Sequence, residues 1–227
     1  RNIPAFGTIK NNKVEWLDRD VALKMASNGT SVLAIVKRDY LYKDIFSHVI
    51  GYVGQVNSDE LLLPDFSDYG ISDFTGRMGL EEQYEKFLHG QNGKQLYEVN
   101  AKGERIRLLG EEEARQGAVL KTTLDVGLQK AAAKAMEKID KGAVVVTDPR
   151  DGSVMALYSK PSFDPNLFTR EPSYKPEGAY QKKEDILLDD EKFPLLDRVI
   201  AGVYPPGSTF KIVTSLAALS SNAIKPE

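Results

Sequence analysis

Near the end of this chain two prolines and a glycine follow one another, Pro205-Pro206-Gly207, and they stop whatever precedes them. Proline fixes φ and has no N–H, so a helix tolerates it only at its very start. The residues that follow, from Phe210 through Ile212, Val213, Leu216 and Ala217, are apolar at helical spacing, so a helix opens beside residue 208. Ser208 and Lys211 then fall in its first turn, on one face.

That placement has two readings. In one, Ser208 caps the helix and Lys211 is a solvated cation. In the other they are a nucleophile and its base. Unpaired N–H groups make a helix start partly positive, which disfavours a cation there. Combined with burial, the same field pushes a lysine toward the neutral amine that can take a serine proton. The Ser208 N–H would then face the site as an oxyanion donor. A serine with a lysine three places on is expected about once by chance in a chain of this length. Here only Ser208 satisfies it, and it does so behind Pro-Pro-Gly.

The string Tyr204-Pro205-Pro206-Gly207-Ser208-Thr209-Phe210-Lys211, preceded by Pro194-Leu195-Leu196-Asp197-Arg198-Val199-Ile200-Ala201-Gly202, resembles the active-site stretch of class B penicillin-binding proteins, the peptidoglycan transpeptidases. Tyr-Pro-Pro is closer to the elongation type than to the division type. The family usually has Asn-Arg-Ala where this chain has Asp197-Arg198-Val199, which leaves a role for the asparagine open. His48-Val49-Ile50-Gly51-Tyr52-Val53-Gly54, Gly76-Arg77-Met78-Gly79-Leu80-Glu81 and Lys160-Pro161-Ser162-Phe163-Asp164-Pro165-Asn166 are similar to further family strings, so the likeness runs through most of the chain.

The pattern of elements predicts an α+β chain. The resemblance divides it into a mixed, non-catalytic pedestal over residues 1–116 and the N-terminal portion of a transpeptidase domain over residues 117–227, with an incomplete antiparallel sheet. In the first domain a polar opening from Asn2 leads to an amphipathic stretch with Val21, Leu23 and Met25 that closes at Asn28-Gly29, and then to a strand from Ser31 to Lys37. Gly51 and Gly54 suggest close backbone approach, and residues from Asn57 to Thr75 read as loop. Gly79 to Gly90 reads as a helix with Leu80, Tyr84, Phe87 and Leu88 on one face. Glu81 and Glu82, tempting as an acid–base pair, point apart on a helix and read as a solvated face. Segments Gln95 to Val99 and Arg105 to Leu109 form a hairpin, and Glu111 to Gln116 is an exposed boundary.

In the second domain Val119 to Leu124 is a candidate strand, and Asp125 caps a helix whose stripe is Leu128, Ala131, Ala132, Ala135, Met136 and Ile139. Gly142 to Asp148 and Ser153 to Ser159 form an antiparallel pair with that helix packed on it. Thr169 to Lys192 reads as a surface loop. His48 and His89, the chain's two histidines, have no partner at metal-ligand spacing and read as structural.

Net charge of −3 and pI near 5.6 give no electrostatic case for nucleic acid. The absence of cysteine excludes disulfides and thiolate metal sites. No stretch approaches the length of a membrane helix, and the chain, opening at Arg1 in mid-pattern, reads as an internal piece of a longer protein. Of the remaining elements of a serine–lysine acyl-transfer site, Ser220-Ser221-Asn222 lies at the far end of the same helix, about 18 Å along its axis, and Lys121-Thr122-Thr123 lacks the glycine of Lys-Thr-Gly. As given, the chain is therefore expected not to acylate penicillin, and to expose a sheet edge and a helix face.

The resemblance implies catalysis by Ser208 and Lys211 with no metal or organic cofactor, peptidoglycan stem peptides as substrates, and β-lactam antibiotics as acylating ligands. It also implies a location at the outer, periplasmic face of the cytoplasmic membrane, with the anchor outside this chain, and a membrane-embedded glycan polymerase as a partner. Two alternatives stay open: a serine β-lactamase or β-lactam sensor, and a non-catalytic scaffold docking such a polymerase.

Overall fold

The computed structural model describes residues 2–10, 13–170 and 173–224. Strand β1 (Asn2–Lys10) lies between β2 (Lys13–Leu17) and β3 (Leu33–Arg38), antiparallel to both, with Phe6 opposite Leu17 and Gly7 opposite Leu33. The expected polar opening is thus a strand pair. Helix α1 (Arg19–Ser27) buries Ala22, while Val21 and Leu23 stay exposed. Residues two apart project to different sides of a helix, so those apolar positions could not share one buried face.

The chain then makes a 3₁₀ turn, Lys43–Phe46, followed by α2 (Ser47–Ile50). Strand β4 (Val53–Gln55) pairs antiparallel with β5 (Phe74–Gly76), and two short helices follow, α3 (Gly79–Gln83) and α4 (Glu85–Leu88). The two glycine-containing strings meet here backbone to backbone. Gly51, at φ +76°, lies so close to Met78 that a Cβ would sit 1.7 Å from its carbonyl oxygen. Gly79, at φ +63°, packs against the carbonyls of His48 and Val49. Only glycine reaches such positions without a clash. Arg77 fastens the intervening loop: its Nη2 donates to Glu60 Oε2 at 2.8 Å and to the Gln55 carbonyl at 2.7 Å, and its Nη1 pairs with Glu60 Oε1.

The expected single helix from Gly79 to Gly90 is broken at Tyr84, and Phe87 remains exposed. Glu81 is also not solvated. It is buried, and it receives Arg38 Nε at 2.9 Å and Nη2 at 3.0 Å, because β3 ends where the first turn of α3 begins. Glu82 is exposed, as expected. Strands β6 (Lys94–Val99) and β7 (Arg105–Glu112) form the expected hairpin, exposed along most of its length.

Beyond it, residues 119–124 are extended but pair with no strand. They instead lead to the outer edge of β9 (Val154–Lys160), where Thr123 Oγ1 donates to the Val154 carbonyl and the Asp125 N–H to that of Met155. Asp125 caps α5 (Val126–Ala135) by accepting the Leu128 N–H at 2.8 Å. Helix α5 packs on β9, which pairs antiparallel with β8 (Gly142–Thr147). Its inner face is Gln129, Ala132 and Met136, meeting Tyr158, whereas Ala131, Ala135 and Ile139 face outward.

The segment read as a surface loop contains α6 (Lys183–Leu187), and Ile186 is in the core with Phe163 and Tyr180. Tyr52 and Met78 of the pedestal pack against that same cluster, and the rings of Tyr52 and Phe168 stack at 3.9 Å. One apolar cluster therefore serves both parts of the chain. The last element is α7 (Lys211–Ser220).

Replacing Gly51 by alanine is expected to cost about 3 kcal/mol or more, since strain and clash add. The same change at Gly103, at φ +79° with nothing within 4 Å, should cost about 1 kcal/mol. Urea midpoints of the two variants compare them directly. The Arg77 hydrogen bonds pull the Glu60 carboxyl down to about 2 from 4.5. Its stabilisation is complete above the unfolded value and is lost as pH falls through the folded one. Between pH 4.5 and pH 2, thermal midpoints of Glu60→Gln should therefore fall less steeply than those of the native chain.

Candidate active site

A 3₁₀ turn, Gly207–Phe210, runs directly into α7. Side chains three residues apart eclipse in a 3₁₀ turn, so Ser208 and Lys211 are carried to one side of the helix start, as the sequence predicts. Pro206 anchors the turn: its carbonyl accepts the Thr209 N–H at 3.3 Å and also the Thr209 hydroxyl. The burial expected around the pair is not found among the described residues. Ser208 and Lys211 are both exposed, and α7 has no buried residue. The field of the helix start acts on Lys211, but the desolvation that would reinforce it is not supplied here, because Ile212, Val213 and Leu216 face outward with no sheet against them. The expected exposed helix face is this one.

The approach to the pair is much better ordered than the pair itself. Arg198, only 6% exposed, directs Nη2 to the Lys192 carbonyl at 2.6 Å and Nη1 to the carbonyls of Phe193 and Leu196 at 3.1 and 3.3 Å. Its own N–H donates to Ser159 Oγ at 2.9 Å, and that hydroxyl donates to the Leu196 carbonyl at 3.2 Å. Asp197, standing where the resembling family has asparagine, accepts the Val199 N–H through Oδ1 at 2.9 Å. An asparagine Oδ1 can accept the same bond. The departure from the family string thus leaves this turn intact.

His48 is structural, as the sequence suggests, but it belongs to the same assembly. Its Nε2 lies 2.7 Å from the Pro194 carbonyl, so Nε2 carries the proton, and Nδ1 is left to accept from Ser47 Oγ at 3.1 Å. Burial lowers its pKa and keeps the ring neutral, against the weaker opposing influence of Pro194 and Asp197 and with that of Arg198. His89 stacks on Tyr69 at 4.0 Å and faces Glu85 at 3.4 Å, far from this assembly in sequence and in contacts.

Gln129, Ser159, Asn166 and Arg198 carry the assembly and were not singled out by the sequence. Gln129 had a legible signal: it stands at i, with Ala132, Ala133 and Met136 at i+3, i+4 and i+7, a polar residue inside an apolar stripe. The others sit in irregular segments where no period exists to reveal them. A cleft of about 540 Å³ bordered by Asp44, Tyr158, Ser162 and Tyr180, and another of about 570 Å³ bordered by Tyr42, Leu80 and Leu120, both lie away from Ser208 and Lys211. Among the described residues no group of three or more His, Cys, Asp or Glu could hold a metal ion, and no helix is long and apolar enough to cross a membrane.

A pedestal bonded to a helix, a strand pair and a serine–lysine turn is the arrangement of one known family. Residues 3–122 match the penicillin-binding protein dimerisation domain, and residues 142–227 match the penicillin-binding protein transpeptidase domain. The chain belongs to the penicillin-binding proteins. It is 38% identical to the peptidoglycan D,D-transpeptidase MrdA of Acinetobacter baumannii over 84% of this chain and 27% of that protein. With MrdA of Escherichia coli K12 it shares 40% identity over 86% of this chain and 30% of that one. The structure superposes on a penicillin-binding protein, PBP2, solved in complex with MreC from Helicobacter pylori, with a TM-score of 0.78 and 26% identity over 99% of this chain and 49% of that one. The chain thus spans less than a third of these curated relatives.

Asp197→Asn is expected to leave the thermal midpoint within about 1 °C of native, since an acceptor remains. Asp197→Ala frees the Val199 N–H and should cost about 1 kcal/mol, by analogy with the loss of a cap. Calorimetry on both variants checks this.

Proposed function

We propose that this chain forms the pedestal, ending near residue 116, and the opening part of the catalytic domain of a peptidoglycan D,D-transpeptidase. The observation that carries the reading is the delivery of Ser208 and Lys211 to one side of a helix start within the segment that matches the transpeptidase domain. Ser208 Oγ attacks the carbonyl carbon of the penultimate D-alanine of a stem peptide while Lys211 Nζ takes its proton. The peptide C–N bond then breaks, and the terminal D-alanine leaves with that proton. An amine from a neighbouring strand attacks the resulting ester, releases Ser208, and completes the cross-link. The Ser208 N–H is one oxyanion donor. β-Lactams acylate the same hydroxyl.

The work of such an enzyme lies at the outer face of the cytoplasmic membrane, where its substrate is. The similarity to a PBP2 solved with MreC supports a protein partner of that kind for the pedestal, and a membrane-embedded glycan polymerase is the further partner we assign to it.

In the full-length protein containing this chain, Ser208→Ala should abolish covalent labelling by fluorescent penicillin. Lys211→Ala should slow it about 10²–10⁴-fold, the usual contribution of a general base. Undiminished labelling of Ser208→Ala would refute the assignment.

A further inference from the structure

Residues 192–198 lead into the nucleophile turn, yet they belong to no helix or strand. Such a segment keeps one shape only if its backbone groups are bonded elsewhere. Phe193 makes the demand sharper. It sits at φ +49°, a left-handed conformation that a bulky residue holds only when its surroundings fix it. Arg198 closes the segment on itself through the carbonyls of Lys192, Phe193 and Leu196. Self-closure fixes a shape but not a location, and location comes from outside.

Two side chains supply it. His48 of α2 donates to the buried carbonyl of Pro194 at 2.7 Å. Ser159 of β9 donates to the Leu196 carbonyl and accepts the Arg198 N–H. One anchor comes from the pedestal and the other from the sheet. The closed segment passes its placement on: the Asp197 carbonyl accepts the Ala201 N–H at 2.9 Å, and Gly202 packs against the Arg198 carbonyl so closely that a Cβ would come within 2.4 Å. From Gly202 only Val203 to Gly207 separate this ordered stretch from Ser208.

We propose that His48 and Ser159 are positioning residues for acylation, locating the segment that delivers Ser208 while touching neither substrate nor the reacting atoms. This rests on the reading of Ser208 as the nucleophile. It also gives the pedestal a part in the chemical step through one hydrogen bond.

The test uses the full-length protein and a fluorescent penicillin, separating the limiting acylation rate from the half-saturating concentration. His48→Leu removes the donor and should lower the limiting rate about ten-fold or more, as small misplacements of a reacting group do, with half-saturation little changed. His48→Gln, whose amide can donate from a similar place, should restore most of the rate. Loss of folding alone would not produce that rescue. A folded His48→Leu protein with the native limiting rate, or a His48→Gln protein as slow as His48→Leu, overturns the proposal. If His48→Leu does not fold, Ser159→Ala decides: a slowed limiting rate with an unshifted thermal midpoint supports the anchors, and a native rate overturns them. Penicillin labelling that survives Ser208→Ala would instead show that the nucleophile was misassigned, whatever the anchor variants do.

Discussion

Everything downstream of the pedestal is placed by a side-chain amide acting as a strand. Asn166 accepts the Tyr40 N–H through Oδ1 and donates Nδ2 to the Tyr40 carbonyl, both at 2.9 Å, so one buried backbone unit is matched by one buried amide. Asp164 holds that amide in place by accepting both its Nδ2 and the Asn166 N–H. A buried peptide group left without such partners costs about 1–3 kcal/mol for each unmet bond. Sliding the two domains by even a fraction of a residue would incur that cost twice, so the joint has one register. Thr169 Oγ1 on the Arg38 carbonyl and Arg170 on Asp39 at 2.7 Å reinforce the same register from the next turn.

Gln129 repeats the device within the second domain. It donates to the Leu157 carbonyl at 2.7 Å and accepts the Leu157 N–H at 2.8 Å, closing the outer edge of β9 where a further strand would otherwise be needed. Its amide also reaches the Ile45 carbonyl at 2.9 Å, on the pedestal side. An edge strand is a liability unless something covers it, and here the cover is a residue on the helix that already packs against the sheet. The amides give register, and the cluster of Phe163, Tyr180 and Ile186 with Tyr52 and Met78 gives most of the apolar burial at the joint. Directional bonds and non-directional burial coincide at one place, so the pedestal and the opening of the catalytic domain behave as one support.

What could be read from the sequence follows a physical division. Elements governed by local pattern were legible: the hairpin of β6 and β7, the Asp125 cap, the pairing of β8 with β9, the glycines at Gly51 and Gly79, and the turn that delivers Ser208 and Lys211. Positions whose environment is made by distant chain were not. Glu81 reads as a solvent-facing acid until β3 brings Arg38 to it, and Ile186 reads as loop until Phe163 meets it. Residues 119–124 have the composition of a strand, yet their neighbours at the β9 edge are met by single hydrogen bonds rather than by a ladder. Propensity proposed the strand, and tertiary context left it extended but unpaired.

The serine–lysine pair divides along the same line. Its geometry is local: two prolines, a glycine and a 3₁₀ turn suffice to bring residues 208 and 211 to one side, and those are present whatever surrounds them. Its reactivity is not local. The positive end of α7 biases Lys211 against its charge, but that field is weak in water and grows only as water is excluded. With Ile212, Val213 and Leu216 exposed beside it, the apolar surface able to take part in that exclusion lies on the helix that carries the base. Any surface that covers those side chains therefore dries the base at the same time, so packing of α7 and activation of Ser208 are one event rather than two.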